Sequence, residues 1–331
     1  MQNIDNEVVL IGGLGYVGSA ITEFFNSEEI KVTIIDNNIY KKKLYKLEGN
    51  QYLNIDTRST EDLLSYDFSA KNIIVLSGLV GDPITNKYPE ISRSINETSL
   101  INFLSNVDGF KKLIFISTCS NYGLNKSDTP LNEESPLNPI SLYAKSKVAV
   151  ENFLINSNKD YIILRFATAF GHSPNMRFDL TLNEFTAMLY FNKFIEVYDY
   201  KTSRPYCHVQ DFARVIKKII SDEYKNITKE VFNVGANKNN ISKEKLISLI
   251  SEKTNNFNYE LVKDSKDKRN YVVDFSKIQK TFDFLPSFDL EDGIDEIIRK
   301  LESDSYDLNK NFEKLNNYYG NYRIPDENLT N

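Results

Sequence analysis

The stretch that most constrains the fold of this chain is GGLGYVG at residues 12–18, whose first glycine ends the apolar run EVVLIG at residues 7–12. It places Gly12, Gly15 and Gly18 three residues apart at the start of a helical pattern. Glycines at this spacing permit a tight turn, a close approach of backbone to a pyrophosphate and close helix–strand packing. The N-terminus of the following helix adds N–H groups and the positive end of a dipole. The stretch therefore predicts a dinucleotide-binding turn.

An acidic residue, Asp36, ends the second apolar run, KVTIID at residues 31–36. A carboxylate at this place accepts hydrogen bonds from the ribose hydroxyls of NAD and repels a 2′-phosphate. The alternative is an ordinary glycine turn at the start of a helix, followed by an unrelated loop aspartate. That alternative gives no reason for a strand, a glycine turn, a helix and an acidic residue to occur in this order. Their combination predicts NAD, tightly bound, as the cofactor.

Six short apolar runs alternate with amphipathic segments in the first half of the chain, at residues 7–12, 31–36, 52–56, 72–77, 112–117 and 161–166. Runs that are apolar on both faces and separated by helical segments are typical of a parallel sheet buried between two layers of helices. The pattern predicts an α/β fold: a Rossmann-type doubly wound parallel sheet with a smaller C-terminal substrate lobe.

The strict alternation fades after Arg165, which indicates a domain boundary. A helical pattern at 212–220 and the run EVFNVG at 230–235 are predicted to return the chain to the first domain. The predicted parts are a dinucleotide-binding domain, a substrate lobe and a polar tail: residues 1–171 with about 206–235, residues 172–205 with about 236–302, and residues 303–331.

The composition limits what the chain is expected to bind. A net charge of −6 offers no basic surplus for nucleic acid, and no apolar run reaches the roughly 18 residues of a membrane span. We see no signal peptide, because no basic segment followed by an apolar one opens the sequence. Two cysteines and two histidines suit neither a disulfide framework nor a metal cluster. We expect a cytoplasmic protein that binds no metal, nucleic acid or membrane.

Further cofactor contacts are predicted at the ends of the strands, where binding crevices form in such sheets. Asp56 could face the adenine, although a capping or surface aspartate is the ordinary alternative. Asn96 could reach the cofactor from a helix, although a helix-surface asparagine is equally ordinary. The full set beyond the glycines and Asp36 comprises Tyr16, Val17, Asn37, Asp56, Thr57, Ser77, Gly78, Asn96, Ser117, Tyr143, Lys147, Phe166 and Thr168.

The segment LYAKSK places Tyr143 and Lys147 four residues apart, on one face of a helix predicted to begin near Leu142. A nearby ammonium favours the phenolate, so we expect Lys147 to lower the pKa of Tyr143. Tyr143 could then take a proton from a substrate hydroxyl as hydride leaves the same carbon. Lys147 could also hold the nicotinamide ribose, and Thr118, at a strand end, could share the substrate hydrogen bond. Lys145 faces away. Most pairs of a tyrosine and a lysine four residues apart are neighbours on a helix surface. The catalytic interpretation of this pair therefore depends on the dinucleotide-binding turn earlier in the sequence.

GGLGYVG, FISTCSNYG and the YAKSK pair, in this order and spacing, resemble the extended branch of the short-chain dehydrogenase/reductases, which comprises sugar-nucleotide epimerases, dehydratases and reductases. RFATAFG, RPYCHVQDFAR and VFNVGAN extend the resemblance over about residues 7–300. It implies that Thr118, Tyr143 and Lys147 form a catalytic triad. It also implies a nucleotide-diphosphate sugar as substrate and a homodimer built through a four-helix bundle. Ile11 departs from the family, which often has a threonine there.

The two residues after Thr118 narrow the reaction that the resemblance implies. Cys119 and Ser120 occupy the positions where 4,6-dehydratases typically carry Asp and Glu, and decarboxylases usually have a glutamate at the position of Ser120. Dehydration and decarboxylation are therefore disfavoured. The 3,5-epimerising reductases have a cysteine at the position of Ser120, one residue after Cys119, which we interpret as a small buried residue.

The remaining reactions are hydride transfers at C4 of the sugar. A 4-epimerase or a 4-dehydrogenase is favoured, with a 4-keto reductase as the alternative. SGLVGDP (77–83) and RFATAFGHSPNMRFDLTLNEFT (165–186) resemble a subgroup with oxidoreductases of bacterial surface polysaccharide pathways, one branch of which oxidises C4 of a GDP-heptose.

The resemblance places substrate contacts in the second lobe. Arg204 and Arg269 fall where the family has its diphosphate and ribose contacts, with surface salt bridges as the ordinary alternative. His172 could act as a second acid/base group or make a structural hydrogen bond. The predicted substrate-binding residues are Thr118, His172, Met176, Arg177, Asn183, Arg204 and Arg269.

Two other functions compete with a sugar-nucleotide enzyme. A non-catalytic NAD(H)-sensing binding protein would keep the fold, but such proteins commonly lose the Tyr–Lys pair, which is intact here. A dehydrogenase of a small carbonyl compound would not need the large second lobe or its two arginines.

Overall fold

The computed structural model describes residues 7–40, 49–124, 129–263, 270–318 and 324. The strands, numbered in chain order, are β1 Val8–Ile11, β2 Val32–Ile35, β3 Gln51–Leu53, β4 Asn72–Val75, β5 Lys112–Thr118, β6 Tyr161–Phe166, β7 Thr168–Phe170, β8 Ile195–Tyr198, β9 Ser203–His208, β10 Glu230–Val234, β11 Asn240–Ser242 and β12 Tyr259–Val262.

The helices, numbered in the same way, are α1 Tyr16–Ser27, α2 Thr60–Leu64, α3 Asp82–Lys87, α4 Pro89–Arg93, α5 Ser99–Asn106, α6 Leu142–Ile155, α7 Thr181–Tyr190, α8 Val209–Ile219, α9 Lys243–Thr254, α10 Ser276–Phe282 and α11 Leu290–Glu302. Short 3₁₀ helices include Cys119–Tyr122 and Phe312–Asn317, and Ser94–Thr98 forms a π-helical turn before α5.

Seven strands form one sheet in the order β10-β6-β5-β4-β1-β2-β3, and every neighbouring pair is parallel. The strand order reverses between β1 and β4, because β2 and β3 lie on one side of β1 and β4 to β6 on the other. All residues of β1, β4, β5 and β6 are buried, as expected for apolar runs covered on both faces. The predicted fold class, a Rossmann-type α/β fold, is confirmed.

The glycine turn between β1 and α1 depends on the absence of side chains at two positions. Gly12 has a φ of +83°, and a Cβ there would lie 2.4 Å from the backbone of Ser77 on the loop after β4. A Cβ on Gly18 would lie 2.4 Å from the carbonyl oxygen of Gly13. The turn can therefore fold tightly against β4 and α1 only with glycine at both positions.

Two small sheets complete the fold: β11-β9-β7 and the pair β12-β8. One hydrophobic cluster runs from β1 and α1 through α8 to α9, α10 and α11, so apolar packing joins the sheet to the later elements. The division into two domains remains a prediction. In the polar tail, Tyr306, Leu308 and Leu315 are buried in this same cluster. Within the described ranges, no helix combines the length and apolar character that crossing a membrane requires.

A buried ion pair between Glu151 on α6 and Arg165 on β6 ties the centre of the sheet together. Arg165 donates from Nε to both carboxylate oxygens, at 3.2 and 3.1 Å, and from a terminal nitrogen at 2.7 Å. The Glu151 carboxylate also accepts hydrogen bonds from Ser117 Oγ and, at 2.8 Å, from Asn121 Nδ2. Arg165 reaches the hydroxyl of Tyr122 at 3.0 Å. The pair thus joins α6 and β6 to the end of β5 and the turn after it.

We expect Glu151→Gln to reduce the free energy of unfolding by roughly 3–5 kcal/mol, because it leaves the Arg165 cation buried without its carboxylate. Urea unfolding measures this. Asp108→Asn, which breaks an ion pair to Lys159 whose aspartate is 82% exposed, is the control, and we expect a change of less than about 1 kcal/mol. In Glu151→Gln/Arg165→Met the loss should be smaller than in Glu151→Gln. Equal losses in Glu151→Gln and the control would contradict the role of the pair.

Candidate functional site

A cavity of about 490 Å³ lies at the carboxyl ends of the central strands. Its walls come from the glycine turn after β1, the loops after β2 and β4, the end of β5 and the segment after β6. It therefore occupies the place where the strand order reverses, which is where open parallel sheets bind their ligands.

Asp36 holds two loops of the cavity wall. Its carboxylate accepts one hydrogen bond from the backbone N–H of Leu14 in the glycine turn, at 3.0 Å, and another from Asn38 N–H, at 2.7 Å. Burial raises the pKa of Asp36, and these two hydrogen bonds oppose that rise. The Asp36 carboxylate thus positions the glycine turn. It also lies at the cavity wall, where the ribose of a dinucleotide could reach it.

The residues of the glycine turn fit a dinucleotide. A Cβ built on Gly15 would have only the carbonyl oxygen of Gly12 within 4 Å, at 3.9 Å, so the turn leaves open space there. No side chain caps the N-terminus of α1 at Gly15, which leaves its N–H groups to a phosphate. Ser77 Oγ is buried and has no hydrogen-bond partner among the described residues, although Ser77 lines the cavity. A bound polar ligand would satisfy it.

Thr118 ends β5 at the cavity wall. Its Oγ1 accepts a hydrogen bond from Ser120 N–H at 3.1 Å and thereby caps the 3₁₀ helix that follows. A hydroxyl that accepts in this way still has its proton to donate to a substrate oxygen. Ser120 lines the cavity as well, whereas Cys119 is buried and its Sγ contacts the carbonyl oxygen of Arg165 at 3.2 Å.

Tyr143 and Lys147 both line the cavity from the first turns of α6, whereas Lys145 is exposed. The expectation that Lys147 lowers the pKa of Tyr143 is wrong for the polypeptide alone. Burial raises the pKa of Tyr143 to about 12, and the nearby charge of Arg177 opposes that rise. Lys147 instead donates to the carbonyl oxygen of Ile116 at 2.9 Å, and burial lowers its own pKa to about 8.

Most of the predicted residues line this one cavity. They are Gly12, Gly15, Tyr16, Val17, Gly18, Asp36, Asn37, Asp56, Thr57, Ser77, Gly78, Ser117, Thr118, Tyr143, Lys147, Phe166, Thr168, Arg177 and Arg204. Their specific roles stay predictions. Ser117 Oγ is used by Glu151 rather than held free for a ligand. Arg269 lies outside the described residues.

Two predicted asparagines do not line the cavity, because backbone groups occupy their amides. Asn96 pairs with Leu79, accepting from its N–H at 2.6 Å and donating to its carbonyl at 2.9 Å. Asn183 accepts from Gly171 N–H at 3.1 Å and donates to the carbonyl of Arg177 at 3.0 Å. Both asparagines are fully buried and hold loops of the cavity wall from behind. These are supporting contacts, and the ligand contacts expected of both asparagines stay predictions.

His172 and Met176 also lie away from the cavity wall. His172 contacts the hydroxyl of Tyr306 through Nδ1 at 3.0 Å, and its backbone N–H donates to Glu296. Burial lowers the pKa of His172 to about 4, which disfavours the protonated form. Met176 is fully buried in the hydrophobic core. Both residues thus make structural contacts, and their contact with the substrate stays a prediction.

Sequence reasoning missed several cavity residues: Tyr40, Asp82, Asp179, Lys243 and Tyr271. Tyr40 and Asp82 follow the ends of β2 and β4, so the rule that loops after parallel strands line the site could have found them. Lys243 and Tyr271 carry no such signal. Tyr271 packs under the guanidinium of Arg204, 5.1 Å from its ring centre. In the described part of the chain, no group of three or more His, Cys, Asp or Glu side chains is arranged to hold a metal.

The fold and this cavity define a dinucleotide-binding protein of the Rossmann class. The sequence profile of the NAD-dependent epimerase/dehydratase family matches residues 8–235, and the chain belongs to that family. The predicted cofactor, NAD, is thereby confirmed.

Relatives span nearly the whole chain. A UDP-glucuronate 4-epimerase of Thermodesulfobacterium geofontis is 25% identical over 86% of this chain and 93% of its own length. A dTDP-4-dehydro-6-deoxyglucose reductase of Escherichia coli is 26% identical over 89% of this chain and 98% of its own. The structure of a UDP-glucose 4-epimerase of Thermotoga maritima superposes with a TM-score of 0.79 at 22% identity, covering 90% of this chain and 99% of that one.

The lowered pKa of Lys147 predicts a pH-dependent stability. Between about pH 8 and the usual lysine value of 10.5 the unfolded chain holds a proton that the folded protein has released. The free energy of unfolding therefore rises with pH in this window. We expect NAD-free wild-type protein to gain roughly 2–3 kcal/mol relative to Lys147→Met between about pH 8 and about pH 10.

Urea midpoints of both proteins across this window measure the difference. Lys112, whose pKa is also lowered to about 8 by burial, is present in both proteins and cancels. Parallel pH profiles for the two proteins would show that Lys147 titrates at its ordinary value.

Proposed function

We propose that this protein is an NAD-dependent oxidoreductase or epimerase that transfers hydride at C4 of a nucleotide-activated sugar, as a 4-epimerase or 4-dehydrogenase. One observation carries the proposal: Thr118, Tyr143 and Lys147 line the same cavity as the glycine turn that fits the dinucleotide. We further propose that the protein acts in the cytoplasm, in the biosynthesis of surface polysaccharides. It would do so as a homodimer joined through a four-helix bundle.

In this proposal Tyr143 takes the proton of the C4 hydroxyl while the bound NAD accepts the hydride from the same carbon. Thr118 donates a hydrogen bond to the substrate oxygen and fixes it beside the phenol. Lys147 holds the nicotinamide ribose. Since burial raises the pKa of Tyr143 to about 12, deprotonation needs nearby positive charge. Arg177 supplies part of it, and an oxidised nicotinamide ring adds more.

The far end of the cavity suits a nucleotide diphosphate. Arg204 and Lys243 both line it, and they come from neighbouring elements, since β9 pairs with β11 and Lys243 opens α9 directly after β11. Arg204 lies over the ring of Tyr271, which orients its guanidinium. Two cations at one end of a site that is otherwise mixed in charge favour an anionic group such as a diphosphate.

The names of two relatives support chemistry at C4, because one is a 4-epimerase and the other reduces a 4-dehydro sugar nucleotide. The second also keeps the 4-keto reductase as an alternative. Dehydration is disfavoured by Cys119 and Ser120, neither of which can act as a carboxylate acid/base. Asp82 does bring a carboxylate to the cavity, and a dTDP-glucose 4,6-dehydratase of Bacillus anthracis shares the fold, with a TM-score of 0.78. The test must therefore distinguish dehydration from epimerisation.

A non-catalytic NAD(H)-sensing protein is the competing function. Such a protein needs the glycine turn and can use Lys147 to hold the nicotinamide ribose, but it has no use for the hydroxyl of Tyr143 beside that lysine in the cavity. We therefore favour the enzyme.

We expect Tyr143→Phe to reduce turnover at least about 1,000-fold while NAD stays bound, because the variant lacks only the hydroxyl that moves the proton. Lys147→Met should also lose activity. Lys145→Met, an exposed lysine on the same helix, is the matched control and should remain active. Cofactor content is measured by absorbance after gel filtration. Substantial turnover by Tyr143→Phe would remove Tyr143 from the proposed role.

A panel of UDP-, GDP-, CDP- and dTDP-sugars, followed by NMR, tests the reaction itself. We expect a change confined to C4 of one of these sugars. A product with inverted configuration identifies an epimerase, and a keto sugar formed together with NADH identifies a dehydrogenase. Loss of the C6 hydroxyl would identify a dehydratase and contradict the interpretation of Cys119 and Ser120.

A further inference from the structure

Residues 171–179, here called the strap, connect β7 to the region before α7 and are bonded directly to the glycine turn. Tyr16 Oη donates to the carbonyl of Gly171 at 2.6 Å, and Ser173 Oγ donates to the carbonyl of Tyr16 at 2.6 Å. Asn175 Nδ2 donates to the carbonyl of Leu14 at 2.7 Å and to Ser19 Oγ at 3.0 Å. The strap is therefore fixed to the part of the protein that would hold the cofactor, although all of it except Gly171 lies in the predicted substrate lobe.

Arg177 is the strap's cation, and it lines the cavity although it is only 8% exposed. Its Nε and one terminal nitrogen donate to the two carboxylate oxygens of Asp179, at 2.9 and 2.5 Å. The amide of Asn183 holds the Arg177 carbonyl. A guanidinium has five N–H donors, and the pair with Asp179 accounts for two of them. The side chain is thus held in one orientation with donors remaining for a ligand.

Arg177 lies at the cavity wall close to the loop after β4. The loop after β4 approaches it, since a Cβ built on Gly81 would lie 3.9 Å from its guanidinium. Its charge also lowers the pKa of Tyr16 in the glycine turn, Tyr40 after β2 and Tyr143 on α6, against the larger effect of burial on each. These tyrosines come from the glycine turn, the loop after β2 and helix α6, and all three line the same cavity as Arg177.

We propose that Arg177 binds the pyrophosphate of NAD from the side opposite the glycine turn, and that the strap retains the cofactor between turnovers. A dinucleotide whose ribose reaches Asp36 and whose nicotinamide reaches Lys147 has its pyrophosphate between them, at the N-terminus of α1. Arg177 is among the substrate-binding residues predicted from the sequence, and this inference assigns it to the cofactor instead. The inference rests on NAD as the cofactor but not on the sugar or the reaction.

The charges favour this assignment. The glycine turn offers N–H groups and the partial positive charge of one helix end. This partial charge compensates only a small part of the two negative charges of a pyrophosphate. A guanidinium matches phosphate oxygens with two parallel hydrogen bonds. Asp179 orients the guanidinium of Arg177 and reduces the free-energy cost of burying this cation before the cofactor binds. The sugar end has its own cations, Arg204 and Lys243.

Exchange of bound NAD with isotope-labelled NAD, measured on the holoenzyme without any sugar, tests the proposal. Arg177→Met alone would leave Asp179 buried without its cation, so the main variant is Arg177→Met/Asp179→Asn. We expect NAD to exchange about 10- to 100-fold faster than in the wild type. Asn175→Ala, which changes no charge, should accelerate exchange less, because it removes two hydrogen bonds between the strap and the turn. Arg204→Met is the control arginine of the same cavity and should leave exchange unchanged.

The opposite pattern would overturn the proposal. If the folded double variant exchanges NAD at the wild-type rate, Arg177 does not bind the cofactor, and a raised KM for the nucleotide sugar would return it to the substrate pocket. Equal acceleration in Arg204→Met would show a general effect of cavity charge and not a strap contact. Because the assay contains no sugar, it stays decisive even if the nucleotide-sugar panel identifies no substrate.

Discussion

The ion pair between Glu151 and Arg165 is the interaction on which the site depends most. Two buried charges are costly in a protein interior unless nearly all of their hydrogen-bonding groups are satisfied. Here the carboxylate is bonded to Arg165, Ser117 and Asn121. Ser117 precedes Thr118 on β5, and Glu151 lies one turn beyond Lys147 on α6. The network that satisfies the pair therefore also fixes the distance between the strand and the helix that carry the catalytic candidates.

The same burial sets the resting state of the site. In the polypeptide alone, burial moves the two pKa values in opposite directions, that of Tyr143 up to about 12 and that of Lys147 down to about 8, so that the phenol is neutral at physiological pH. Without a bound cofactor, Tyr143 would therefore be a poor general base, because its phenol stays protonated. Oxidised nicotinamide carries positive charge into the cavity and favours the phenolate. In the proposed reaction the cofactor therefore takes part in the acid–base chemistry and also accepts the hydride.

The sequence predicted the fold well because its signals are local. Each apolar run was long enough to be a buried strand, and the glycine turn with Asp36 needed only neighbouring residues to be identified. Harder to predict were the partners of the polar side chains that support the cavity from behind. Asn183 bonds to Gly171 and Tyr16, and His172 bonds to Tyr306, 134 residues away. No pattern in one sequence reveals such pairings. Arg165 did carry a signal, since a charged residue inside the apolar run YIILRF needs a buried partner.

Retention of the cofactor bears on which of the proposed C4 reactions the site can support. If the strap holds NAD through many turnovers, NADH formed by oxidising a sugar has to be reoxidised where it lies. An epimerase meets this requirement without further reactants, because the keto sugar takes the hydride back on its other face. A dehydrogenase would have to release the keto sugar and admit a second carbonyl compound through the end of the cavity lined by Arg204 and Lys243. Cations at that end suit an anionic oxidant as well as a diphosphate. Fast exchange of NAD would therefore favour a dehydrogenase that releases NADH after each turnover. Slow exchange would favour either an epimerase or an enzyme that oxidises one substrate and reduces another in alternation.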